Sequence, residues 1–319
     1  MPASATPGTT VKEPPTGAVR ARPSRASSGA GRPGLGWAVP GLLFFTFFAI
    51  IPMLLVVALS FTSWQGLGLP EWTGGANWSR LWEDPEMRQA IWLSVLLTGL
   101  SWLFQTPVAL LLGVWAAGPQ RNRAVLSAIF FLPLLASSVA LALLWKSLLD
   151  PNFGLIADIG PYIGFPDGNL LGDPQGAFAA VLFVASWQFI PFHTLLYQGG
   201  ARQIPKSLYD AAYVDGAGTV RQFFSVTLPQ LKNTVITSSV LMVVGALTFF
   251  DTVLILTEGG PGTDTTIVPF LMYTTGFDAF DMGYASAIAT ILVAIATGIS
   301  LLLVRLTGFS AMRSTREGM

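Results

Sequence analysis

Residues 201–232 read ARQIPKSLYDAAYVDGAGTVRQFFSVTLPQLK, a polar stretch set between two long apolar ones. Ile204, Leu208, Ala211 and Ala212 recur at offsets of four, seven and eight, the spacing of one helical face. Pro205 suits a first helical turn, where its missing N–H costs nothing. Gly216 and Gly218 stop that helix, because glycine takes left-handed backbone readily. A second short run with Val220, Phe223 and Phe224 follows, and Pro229 is expected to close it. Two amphipathic helices hinged at glycine are more than a connection needs. The stretch must meet something outside a membrane.

That a membrane is involved follows from composition. The chain has 319 residues, 52% hydrophobic and only 11% charged, with a mean hydropathy of +0.60. Soluble domains carry roughly a quarter charged residues. Cysteine is absent and histidine occurs once, which excludes disulfides and thiolate metal sites and leaves little for imidazole-bound zinc. No metal site is expected. Residues 1–34 are rich in Pro, Gly, Ser and Thr, a composition that buries nothing and reads as a disordered tail. Ala38 to Phe61 is too long for a signal-peptide core and no small-residue cleavage site follows, so it reads as a retained first span.

Further apolar stretches of about 20 residues, the length that crosses a bilayer, run from Ala90 to Ala117, Ala124 to Leu148, Ala177 to Gln198, Thr234 to Thr257 and Gly283 to Leu306. The expected fold is all-α and polytopic, with six transmembrane helices. Pro52, Pro107, Pro133 and Pro191 lie inside spans and predict kinks.

Lys and Arg set the orientation. Lys12, Arg20, Arg22, Arg25, Arg32, Arg121, Arg123, Arg202, Lys206, Arg221, Lys232, Arg305, Arg313 and Arg316 fall on one side, fourteen of the seventeen basic residues. The alternate loops hold Arg80, Arg88 and Lys146 with twelve of the seventeen acidic residues. Both termini and the 201–232 stretch are therefore expected in the cytoplasm of a multi-pass protein of the cell membrane. The acidic loops have two readings: simple solvation on the outer side, or a rim on which an extracytoplasmic partner docks.

Motifs for covalent chemistry are missing. There is no Gly-x-x-x-x-Gly-Lys-[Ser/Thr] phosphate loop, no Gly-x-Ser-x-Gly elbow and no His-Glu-x-x-His pair. Gly259-Gly260-Pro261-Gly262 has no following lysine and reads as a turn. Within the spans only Asp251 is clearly ionisable, with His193 beside it as a possibility; ion-coupled carriers usually place several charges at mid-membrane. Energy for transport is expected to come from elsewhere.

The polar stretch then becomes specific. Asp210-Ala211-Ala212, three residues, Gly216, nine residues and Val226-Thr227-Leu228-Pro229 resemble the Glu-Ala-Ala-x3-Gly-x9-Ile-x-Leu-Pro motif of ABC importer permeases, the binding-protein-dependent inner-membrane components. Asp210 replaces Glu and Val226 replaces Ile. Phe61-Thr62-Ser63-Trp64, Ile204-Pro205 and Leu256-Thr257-Glu258-Gly259-Gly260-Pro261 resemble the maltose and glycerol-phosphate branch, and the likeness covers roughly residues 38–306.

The resemblance implies a coupling-helix loop that docks in a cleft of a separate ATPase. Asp210 would pair with a basic residue, Ala211 and Ala212 would allow close approach, and Gly216 would set the turn. A membrane-surface helix pair is the bland alternative; Asp210 and Asp215 suit an anionic lipid surface poorly. The implied partners are a second homologous permease, a dimer of ATP-binding subunits, an extracytoplasmic solute-binding protein and membrane lipids; no nucleic acid is expected. The chain itself is expected to bind no cofactor and to be no enzyme, with ATP–Mg on the partner ATPase. Trp187, Gln188, Phe192 and His193 in the fourth span, and Phe249, Phe250 and Asp251 in the fifth, are the substrate-path candidates. They mix aromatic platforms with hydrogen-bonding groups, as a sugar or polyol needs. Ordinary helix packing is the plainer reading of any one of the rings, and His193 has a second reading, satisfying a carbonyl freed by Pro191.

The expected layout is a cytoplasmic tail at 1–34, a permease domain at 35–310 and a C-terminal tail at 311–319. Two rival functions remain: a self-sufficient secondary solute carrier, which would need charge relays, and a membrane-embedded glycosyltransferase, which would need an acidic or His cluster at one interface.

Overall fold

A computed structural model describes residues 35–118, 125 and 128–306. Both expected tails and the Arg121–Arg123 turn lie outside these residues. The described chain divides between Ile50 and Ile51 into two units. The first holds helix α1 (Val39–Phe45) and a π turn at Thr46–Ile50, with Phe44 and Phe48 rings 4.6 Å apart.

The second unit carries nearly everything else. It starts with α2 (Ile51–Leu59) and a two-residue antiparallel ladder of β1 (Thr62–Ser63) with β2 (Glu71–Trp72), Thr62 opposite Trp72. Short helix α3 (Ala76–Glu83) leads into the long α4 (Pro85–Ala116). Then come α5 (Leu132–Leu135), α6 (Ser138–Leu148), α7 (Leu155–Ile159) and the long α8 (Pro174–Ala201). The polar stretch supplies α9 (Lys206–Val214), α10 (Thr219–Gln222) and α11 (Leu228–Gln230). Helices α12 (Lys232–Leu247), α13 (Val268–Tyr273) and α14 (Met282–Leu306) complete it.

The two long helices begin alike. Asp84 precedes Pro85, and its Oδ1 accepts from the Glu86 N–H at 2.9 Å; Asp173 precedes Pro174, and its Oδ2 accepts from the Gly176 N–H at 2.7 Å. A carboxylate cap followed by proline satisfies an orphan donor and complements the helix dipole. Several acidic loop residues thus have local structural work. Asp281 pairs with Arg80 at 2.6 Å, the Arg80 guanidinium lies 3.9 Å from the Tyr284 ring centroid, and the Tyr284 hydroxyl donates to Asp84 at 2.7 Å. Glu258 pairs with Lys146 at 2.8 Å.

Among the described residues, four helical stretches are long and apolar enough to cross a membrane: Val39–Leu59, Pro85–Ala116, Pro174–Ala201 and Met282–Arg305. Helices α4 and α8 run on through Pro107 and Pro191. The other two expected spans are interrupted. In the third, Ala136 and Ser137 are extended between α5 and α6, where two adjacent serines weaken a helix. In the fifth, the Thr248 hydroxyl donates to the Val244 carbonyl at 2.9 Å, α12 ends at Leu247, and helical structure returns at Asp251 and Thr252, continuing as a π turn at Val253–Thr257. Pro229 does not close its run: it sits in the first turn of α11, and the 68° bend into α12 falls at Leu231.

The core is organised by α4 against α8, with α12 packed on both and α14 on α12. Gly113 makes the closest approach possible: a Cβ there would stand 2.6 Å from Tyr197 Cβ and 2.9 Å from the Thr194 carbonyl oxygen. Leu97, Val181, Val184, Phe249 and Val253 fill one cluster; Ala109, Ile190, Tyr197 and Leu231 fill another. Large apolar residues such as Phe104, Leu111, Leu143 and Leu301 are exposed. In water such a surface would be a liability; against lipid it is the ordinary exterior.

Candidate functional site

Three helical stripes and Leu134 enclose a cavity of about 260 Å³. Leu97, Ser101 and Gln105 come from α4 at offsets of four and eight; Ala185, Phe189, Phe192 and His193 from α8; Leu241, Met242, Gly245, Ala246 and Phe249 from α12 and the break after it. Each set obeys helical spacing, so each helix turns one face inward. The wall is mostly apolar, with Ser101, Gln105 and His193 as its polar members. His193 is buried and its Nδ1 lies 2.9 Å from the Ser238 hydroxyl, so it pairs across to α12 rather than with a carbonyl freed by Pro191. Gln105 donates from Nε2 to the Ser186 hydroxyl at a long 3.3 Å, while its Oε1 is buried with no partner. An unsatisfied buried amide oxygen costs about 1–3 kcal/mol.

A second cavity of about 230 Å³ shares Phe189, Gly245 and Phe249 with the first and adds Ser138, Thr248, Phe250 and Asp251. The Phe189 and Phe249 rings, edge to face at 6.3 Å, stand where the two meet. The seven candidates from the sequence therefore separate. Phe192, His193 and Phe249 line the larger cavity; Phe249, Phe250 and the exposed Asp251 line the smaller. Trp187 lines neither and packs on Trp145 at 5.5 Å. Gln188 also lines neither: its Nε2 donates to the Ser138 hydroxyl at 2.9 Å. Ser101, Gln105 and Phe189 also line the larger cavity, although the sequence reading singles none of them out; a glutamine within an apolar span is itself a signal.

The polar stretch presents an open surface. Helix α9 buries none of its side chains; Asp210 and Ala211 are exposed, Ala212 half-buried, and Tyr213 and Val214 stand 77% and 84% exposed. Val220 and Phe224 are exposed beside them at 72% and 61%. Gly216 adopts φ +74°, a left-handed turn that side chains resist. The Ala217 N–H donates to the Ala212 carbonyl at 2.9 Å, closing the helix end in the manner of a Schellman turn. The Tyr209 and Thr227 hydroxyls, 2.9 Å apart, tie α9 to the π turn at Phe223–Thr227. The pair is braced but uncovered.

Comparison with known proteins decides the family. Residues 109–310 match the model of the binding-protein-dependent transport system inner membrane component. The chain belongs to this family. It is thus a multi-pass membrane permease. A probable ABC transporter permease protein, YurN of Bacillus subtilis (strain 168), is 35% identical over 270 residues, covering 83% of this chain and 92% of its own. The trehalose/maltose transport system permease protein MalF of Thermococcus litoralis is 32% identical, over 75% of this permease and 85% of its own length. Among solved structures, a chain of a bacterial alginate ABC transporter, crystallised with an alginate pentasaccharide-bound periplasmic protein, superposes with a TM-score of 0.74. It is 23% identical and covers 85% of this permease and 92% of that chain, a likeness in fold.

Proposed function

We propose that the chain is one permease half of an importer that moves a sugar or related polyol inward by alternating access. A separate ATPase drives it, so ATP–Mg binds on the partner and this chain binds no cofactor and performs no covalent step. The observation that carries the reading is the uncovered helix pair. Motif residues Asp210, Ala211 and Ala212 lie on a helix that buries nothing, beside the Gly216 turn, with exposed Tyr213, Val214, Val220 and Phe224 around them. A cytoplasmic face of that kind needs a partner to cover it, and a braced turn transmits rigid-body motion. In this reading Asp210 fixes register against a basic residue of the ATPase dimer, and Gly216 holds the angle between the helices.

The rest of the layout follows. The permease domain spans 35–310 between cytoplasmic tails, and six crossings arise when the broken third and fifth stretches are each counted as one. The smaller and larger cavities belong to the solute path, with His193, Phe249, Phe250 and Asp251 nearest it and Trp187 and Gln188 supporting the wall behind. At about 260 Å³ the larger cavity falls short of the ~300–1,000 Å³ of ordinary small-molecule sites, which supports a path completed by a second homologous permease. A solute-binding protein would deliver cargo on the extracytoplasmic side. The test is composition: the chain purified in mild detergent from its own cells should bring a stoichiometric nucleotide-binding subunit, and Asp210→Lys should lose it with folding intact. Uptake by the chain alone in vesicles would instead mark a secondary carrier.

A further inference from the structure

Gln105 is a polar residue of the larger cavity with a buried amide oxygen that has no partner among the described residues. It is 4% exposed, its amide nitrogen makes only the 3.3 Å contact to Ser186, and its carbonyl oxygen meets no partner. Ser101, 2% exposed, stands one turn away on the same stripe of α4. The other two stripes bring Phe189, Phe192 and Phe249 to the same space. A polar strip beside a set of rings matches a pyranose, which has hydroxyls around its rim and C–H bonds on its faces. Charge is the second observation. Among the described residues, no Lys, Arg, Asp or Glu lines this cavity. The adjoining one, which shares the Phe189, Gly245 and Phe249 wall, carries the Asp251 carboxylate and, among the described residues, no basic residue. An anionic solute would lose its hydration here without gaining a cation, and would feel a like charge nearby.

We propose that Gln105 anchors a subsite on this chain that accepts a neutral, hydroxyl-rich sugar and disfavours an anionic one. This rests on the sugar-import reading above and narrows it. A solute hydroxyl donates to Gln105 Oε1, or the amide turns and donates to the hydroxyl oxygen; in either pose the buried amide gains the bond it lacks. Similarity of fold to a transporter of alginate, an acidic polysaccharide, therefore does not carry its cargo across to this chain.

The test uses the whole importer, purified with its own partners and placed in proteoliposomes with its binding protein. Uptake of radiolabelled trehalose and maltotriose is compared with that of an alginate trisaccharide at matched concentration. The neutral probes should enter and the uronate should not. Gln105→Met, which keeps the volume and removes the amide, should lower kcat/KM for the accepted probe about tenfold, equivalent to about 1.4 kcal/mol. ATPase co-purification and basal hydrolysis should be unchanged, and so should the affinity of the separate binding protein. Uptake of the uronate at or above the neutral rate overturns the proposal, as does a Gln105→Met importer that assembles and transports like wild type. If that variant fails to assemble, the wild-type comparison of neutral and acidic probes decides alone. Entry of no saccharide at all overturns the sugar-import reading itself, and this inference with it.

Discussion

In the insert, apolar side chains stand uncovered while polar ones are satisfied close by: Tyr213 and Val214 are exposed, and the Tyr209 hydroxyl meets Thr227. In the cavity the arrangement is inverted. Gln105 and His193 are buried among Phe189, Phe192 and Phe249, and one amide oxygen has no partner. Each region holds what it cannot satisfy alone, apolar surface in one and an unpaired polar group in the other. The first calls for a protein partner and the second for a small polar ligand. Between them lies the α4–α8 seam, closed tightly where Gly113 meets Tyr197 and the Thr194 carbonyl.

Breaking the seam should have the largest effect. Gly113→Leu drives a side chain into Tyr197 and the Thr194 carbonyl, and should cost about 2–3 kcal/mol, read as a fall in melting temperature in detergent. Gly99→Leu on the same helix meets nothing within 4 Å and should melt like wild type. Breaking the insert should be milder and local. Gly216→Val forces a β-branched residue to φ +74°, at about 1–2 kcal/mol, and should lose the ATPase subunit while the helical core melts almost as before. Loosening the brace is smaller again: Tyr209→Phe removes one hydrogen bond, about 1 kcal/mol, and should speed proteolysis across residues 213–220 without changing helix content. Smallest is the exposed Lys146–Glu258 pair. Lys146→Ala should lower stability by less than about 1 kcal/mol, a difference that disappears in high salt.

The two regions also differ in how far residues alone reveal them. The insert was legible because its information is local. Leu208, Ala211 and Ala212 share a helical face, although Ile204 lies before the helix and Pro205 is its N-cap rather than part of its first turn; glycine marks the turn at 216, and the motif spacing is continuous in sequence. Even there Pro229 misled, since a proline that starts a turn looks the same in sequence as one that ends it. The long spans were legible from length and hydropathy. The breaks at Ala136–Ser137 and Thr248–Phe250 were not, because apolar composition says nothing of backbone path. The cavity was least legible. Its stripes lie around residues 101, 189 and 245, and nothing local says that Gln105 and Phe249 share a space while neighbouring Trp187 and Gln188 face elsewhere.

The central claim is that the uncovered helix pair couples this permease to ATP hydrolysis. It is tested most directly by ATPase activity of the complete importer in proteoliposomes, with and without the loaded binding protein. Wild type should be stimulated; Asp210→Lys and Gly216→Pro should each abolish the stimulation and the uptake while leaving the melting of the helical core nearly unchanged. Stimulated hydrolysis and uptake that survive both substitutions would contradict the account.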